Sequence, residues 1–135
     1  MGSRNRHGRG LRGALLPSTV PGHTTARENF DALVVAAAER LARRWSRHWG
    51  DVEFATEDTP PSLPSPPQQR IALAQTFPSE PGLPTRIVVY RRPIEDRARD
   101  EQEKAALVRG VVVRQVAELM RMDPRDIDPD AERSL

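Results

Sequence analysis

Apolar and polar positions recur along this chain with two different periods, and each change of period marks the edge of an element. Phe30, Leu33, Val34, Ala37, Ala38, Leu41 and Trp45 fall at three- and four-residue steps, the spacing of one helix face. Thr25-Ala26-Arg27-Glu28 supplies a capping box ahead of them, and Gly50 follows Trp49 where a left-handed C-cap would end the helix. At Val52, Phe54 and Thr56 the period drops to two, which predicts a short strand over Val52–Glu57 with one buried face.

Prolines 60, 61, 64, 66 and 67 then give a stretch with no ladder donors and predict a semi-rigid loop; Pro61-Ser62-Leu63-Pro64 has PxxP spacing within it. A second strand is expected over Ile71–Phe77, bounded by Pro78. The strongest strand is Arg86–Arg91, β-branched through its centre as in strands covered on both faces, with Arg92-Pro93 ending it. Asp100 and Glu103 form a second capping box. They open a buried helix from Glu101 to about Met122, with Val108, Val111, Val112, Val116, Leu119 and Met120 at helical spacing. Gly110 in its middle costs about 1 kcal/mol relative to Ala and suggests a close backbone crossing. Asp123-Pro124 then caps one more short turn, through Asp128.

Composition adds limits to this outline. A chain of 135 residues with 13 prolines holds one domain with a small core, over residues 25–128. The net charge of +2 conceals a polarity: up to Trp49 there are nine Arg and three acids, and beyond it twelve basic and sixteen acidic residues. Residues 1–24 carry Arg4, Arg6, Arg9 and Arg12 among glycines and read as a flexible basic arm able to meet phosphates, so weak nucleic-acid binding is an expectation there. Residues 129–135 read as a polar tail. No cysteine is present, no apolar run is long enough to span a bilayer, and the basic N-terminus has no following apolar region. A cytoplasmic protein without a membrane partner is therefore expected.

The last helix also carries the candidate chemistry. Its run Val-Val-Val-Arg-Gln-Val-Ala-Glu-Leu-Met-Arg-Met resembles the active-site helix of the small zincin-like metallopeptidases, in which an apolar run leads into His-Glu-x-x-His and a later Gly. Here the first His position is Arg114, the general-base position is Gln115, the second His position is Glu118 and the Gly position is Arg121. Phe30–Val34 resembles the family's first helix, Val52–Pro60 its first strand and loop, and Pro84–Ile94 its last strand. The resemblance covers roughly residues 28–128 and implies an α+β, minimal zincin-like fold with helices packed on a small mixed sheet of three to four strands.

Zinc peptidase chemistry requires two neutral imidazoles on one helix face, a third ligand and a carboxylate base. Arg114 is a fixed cation, Gln115 takes no proton near neutral pH and Glu118 is a lone carboxylate. The third-ligand position falls near Pro124, and the nearby Asp123 and Asp126 read as helix caps. His7, His23 and His48 are scattered. The expectation is a chain with no catalytic residues, metal or cofactor, serving as a non-catalytic interaction or regulatory domain that holds a protein or peptide in the relict cleft. Two alternatives stand beside it: a nucleic-acid-associated protein acting through the arm, and an active metallopeptidase with a non-standard site. The i, i+4 spacing of Arg114 and Glu118 further predicts an ion pair in place of the metal.

Overall fold

The computed structural model describes residues 9–10, 25–61 and 72–130. Its elements are β1 (Arg9–Gly10), α1 (Ala26–Trp49), β2 (Val52–Glu57), β3 (Ala74–Phe77), β4 (Thr85–Tyr90), α2 (Arg91–Arg97), α3 (Glu101–Met120) and α4 (Pro124–Ile127). The strands form one mixed sheet in the order β1-β2-β4-β3, with β2 and β4 parallel and both outer pairings antiparallel. Helices pack on this small mixed sheet, so the fold is α+β, as expected. No described helix is long and apolar enough to cross a membrane.

Local chemistry explains why α1 starts and stops where it does. Thr25 Oγ1 accepts the Glu28 N–H, and the Glu28 carboxylate accepts the Thr25 N–H, both at 3.0 Å. At the other end Gly50 adopts φ 76° and ψ −148°, which differs from the left-handed helical cap expected. The positive φ still calls for glycine, but the extended ψ sends the chain straight into β2. Trp49 closes that corner edge-on against Phe54, 5.7 Å between ring centroids.

β2 departs from the one-sided burial that its alternation predicts, because Glu53, Phe54, Ala55 and Thr56 are all buried. It is an inner strand with both edges paired, and side chains on both of its faces are buried. Phe54, Ile87 and Val89 face the helices, where they meet Phe30, Val34, Leu41, Val108, Val112 and Val116 in the main core. On the opposite face Ala55, Val88 and Tyr90 form a second small cluster. Beside them Arg86 Nε donates to Glu53 Oε1 at 3.2 Å, an in-register ion pair across β2 and β4 with both side chains buried. The β-branched run of β4 is thus covered on both sides, as expected.

β3 is shorter than the predicted strand, running from Ala74 to Phe77, and Ile71 and most of the proline loop lie outside the described residues. A tight turn closes β3 to β4, with Glu80 and Leu83 exchanging backbone hydrogen bonds and Gly82 at φ 82°. Helix α2 was not visible in the pattern, where Pro93 reads as a stop. Pro93 is the third residue of α2, in the first turn, where the missing N–H has no intrahelical acceptor to lose. Ile94 then anchors α2 in the core.

Only half of the second capping box forms. Asp100 accepts the Glu103 N–H at 2.8 Å, but the Glu103 carboxylate takes the Arg99 N–H instead of that of Asp100. α3 ends two residues before Met122, at a Schellman turn in which Met122 N–H donates to Ala117 O and Arg121 N–H to Glu118 O. Arg121 is the left-handed residue of this turn, at φ 57° and ψ 46°. α4 then docks on α1: Trp45 Nε1 donates to Ile127 O at 3.1 Å, and Arg40 pairs with Asp128 at 3.1 Å.

Candidate functional site

Helix α3 is apolar nearly all round. Its buried residues Val108, Gly110, Val111, Val112, Val113, Val116 and Ala117 take up every direction but one. From Val108 to Ala117 the single exposed residue is Arg114, and Glu118 and Arg121 continue that narrow strip toward the C-terminus. Gln115 lies at the edge of the strip, half-buried, and its Oε1 accepts the Thr76 hydroxyl at 2.6 Å. Arg114, Glu118 and Arg121 therefore form the solvent-facing side of α3, while Gln115 turns to the edge strand β3.

The expected Arg114–Glu118 ion pair does not form. Both side chains are exposed, and among the described residues no ion pair links them or engages either one. With the base N-terminal to the acid, the helix offers the less favourable orientation, and water solvates both groups at little cost. Arg121 likewise has no ion pair among the described residues.

The other sequence candidates lie apart from this strip. Asp123 is the cap of α4: its carboxylate accepts the Arg125 N–H at 2.8 Å and pairs with the Arg125 guanidinium at 3.1 Å. Those side-chain and backbone hydrogen bonds from Arg125 hold its carboxyl below the ordinary carboxylate range. Pro124 is the first residue of α4, and Asp126 is exposed. His48 sits at the end of α1, edge-on to Trp45 at 5.4 Å. His7 and His23 lie outside the described residues, as do Arg4, Arg6 and Arg12; the backbone of Arg9 pairs with β2 at Thr56. Among the described residues no three His, Asp or Glu side chains come together in a group fit to hold a metal ion. A guanidinium, an amide tied to Thr76 and one carboxylate do not fit the zinc that an intact motif would bind.

A second polar region joins the N-terminal ends of α1 and α3, and periodicity gave no sign of it. Asp58 pairs with Arg27 at 2.6 Å and Arg91 at 3.0 Å; Arg91 reaches Glu95 at 2.8 Å; Lys104 bridges Glu95 and Glu101. Partial burial raises the Asp58 carboxyl, but the hydrogen bond and charge of Arg91, with the charge of Arg27, outweigh it and leave the group below its ordinary value. The network rims a cleft of about 280 Å³ whose floor holds Phe30, Asp31 and Thr56, with the Thr56 hydroxyl donating to Asp31 at 2.6 Å. On the far side of the sheet a groove of about 520 Å³ runs past Phe77, Pro78, Leu83, Pro84 and Tyr90. Burial, and then the negative charge of Glu57, push the Tyr90 phenol up to about 12, and its O–H donates to Gln75 at 2.6 Å.

The family model of the zincin-like metallopeptidases matches residues 49–133. The chain belongs to the zincin-like metallopeptidase family. No curated protein matches it. The match takes in the sheet from β2 onward and α3, whereas the likeness at Phe30–Val34 lies in α1, ahead of the matched residues. The matched residues include α3 with its Arg114-Gln115-Val116-Ala117-Glu118 run and the edge strand β3.

Proposed function

We propose that this zincin-like protein is a non-catalytic family member that binds an extended peptide segment of a partner along the outer edge of β3, beside α3. The observation that carries the reading is the state of Gln115. At the position where the chemistry needs a carboxylate free to take a proton from water, an amide side chain is tied by a 2.6 Å hydrogen bond to the edge strand. Metal-assisted hydrolysis has no base there, and the flanking Arg114 repels a divalent cation.

The edge of β3 can still recognise a peptide through its backbone. Tyr90 N–H donates to Leu73 O at 2.9 Å, and Leu73 is opposite Tyr90 in the antiparallel register that pairs Ala74 with Val89. Backbone groups in such a ladder point alternately toward and away from the partner strand, so those of Ala74 and Thr76 point away from β4. Among the described residues nothing pairs with that outer edge. An added strand would bond there, the usual mode of β-augmentation.

Ala74→Pro tests this directly. It deletes an outward N–H and leaves the β3–β4 ladder intact, a placement that edge strands tolerate. Peptides selected by display on the wild-type protein should lose binding to Ala74→Pro and should not be cleaved by the wild type. Selected peptides that bind both proteins equally, or that are hydrolysed, would refute the reading.

A further inference from the structure

The strip on α3 and the two faces of β3 specify what kind of peptide this edge would take. Thr76 and Ala74 turn their side chains toward the helices: Thr76 bonds Gln115, and Ala74 packs against the main core. Gln75 and Phe77 turn to the other face, where Gln75 meets Tyr90 and Phe77 lines the far-side groove. A strand added along β3 has the same alternation, so every second side chain would lie on the α3 side and the others on the Phe77 side.

The two sides differ in chemistry. On the α3 side stand Arg114 and Arg121 with Glu118 between them, all exposed and with no ion pair among the described residues, a local excess of one positive charge. Six other described arginines, Arg27, Arg40, Arg86, Arg91, Arg99 and Arg125, are each matched to a carboxylate, and six more, among them Arg43, Arg92 and Arg109, have no ion pair among the described residues; what sets Arg114 apart is its place next to Gln115, which bonds the edge strand. On the other side Phe77, 38% exposed, is the one exposed large hydrophobic residue among those described, and it continues into a wall of Pro78, Leu83 and Pro84.

On this basis, and resting on the edge-strand reading above, we propose that the ligand is an extended segment of another protein with an acidic side chain facing Arg114 and apolar side chains at the flanking positions, facing Phe77. Arg114 then forms with the ligand the charge-assisted hydrogen bond that it lacks within the chain. The side chain at the lost metal position has become the specificity determinant. The apolar neighbours cover Phe77 and supply burial that the charge alone does not.

The test uses the full chain and peptides acetylated and amidated at their ends, so that no terminal charge competes. Three peptides alternate Val or Ile with a central Glu, Gln or Lys, and binding is followed by fluorescence polarisation at low and high salt. Wild-type protein should prefer Glu over Gln over Lys, with about three- to tenfold between neighbours, as suits one partly exposed charged contact. Arg114→Glu should reverse the order, and Phe77→Ser should weaken all three peptides alike. Equal binding of the three, or a preference that persists in Arg114→Glu, overturns the assignment of Arg114 while leaving strand addition standing if Ala74→Pro still abolishes binding. Absence of binding by all three peptides and by display-selected ones overturns both. Self-association of the chain that Ala74→Pro abolishes would make a second copy the occupant and would also overturn the proposal.

Discussion

The two ends of α3 treat charge in opposite ways. At its N-terminal end Lys104 is almost fully buried and bridges Glu95 and Glu101, within a run of ion pairs that ties α1, the end of β2, α2 and α3 together. Toward its C-terminal end Arg114, Glu118 and Arg121 stand in water with no ion pair among the described residues. Charges that are partly dry and matched hold elements in place, and removing one strands another. Exposed, unmatched charges contribute little to folding, and what they can do is meet something outside the chain. Arg114 and Glu118 fall in the second group, so they should tolerate substitution without loss of stability while the first group should not.

The largest effect is expected where the matched charges are driest. Glu53→Ala leaves the buried Arg86 guanidinium without its in-register partner and should cost about 3 kcal/mol or more in denaturant-induced unfolding. An effect under about 1 kcal/mol would mean that Arg86 reaches water once Glu53 is gone.

Next in size is Asp58, which holds both Arg27 and Arg91. Asp58→Asn should cost about 1 to 2 kcal/mol near neutral pH, less than a dry pair because Arg27 stays half-exposed. The sign with pH follows from the direction of the shift: the folded-state pKa is below the ordinary value of 3.8, so the unfolded chain binds the proton more readily. The contribution is complete above that ordinary value and disappears as pH falls through the lowered folded-state value. The gap between wild type and Asp58→Asn should therefore narrow in acid, and unfolding curves at a series of pH values below about 5 would show it. A gap that stays constant down to acid unfolding would contradict the pairing.

Much of the frame was legible in the sequence because it is set locally. The Thr25–Glu28 box, the β-branched centre of β4 and the apolar spacing of α3 each fix an element through neighbours a few residues away. What escaped was set by distant partners. Glu53 reads as the solvent side of a strand until Arg86, 33 residues later, lies beside it, and Pro93 reads as a stop until Ile94 gives α2 a core to enter. The polar network draws on Arg27, Asp58, Arg91 and Lys104, which no periodicity connects. At the candidate site the sequence located the helix, but i, i+4 spacing suggested a bond between Arg114 and Glu118 that the helix does not make. The hydrogen bond from Thr76 to Gln115 had no sequence signal.

Smaller effects should come from the other end of α3. Arg121 occupies a left-handed position that costs an L-residue roughly 1 kcal/mol or slightly more, so Arg121→Gly should stabilise the protein by up to about 1 kcal/mol in thermal unfolding. No gain would mean that the Arg121 side chain compensates for the strain. Arg114→Ala and Glu118→Ala should each change stability by less than about 0.5 kcal/mol and should add in the double variant, as exposed charges without a shared contact do. A coupling above about 0.5 kcal/mol would restore the metal-replacing ion pair that the structure lacks.

Zinc stoichiometry bears most directly on the claim that a zincin-like helix here serves recognition and not hydrolysis. Tag-free protein dialysed against zinc and then against buffer should retain well under one zinc per chain by elemental analysis, because α3 offers a fixed cation at Arg114, an amide at Gln115 and a lone carboxylate at Glu118. One zinc retained per chain, removable by chelator and still bound after Glu118→Ala, would show a metal site built from residues outside the motif and would contradict the account.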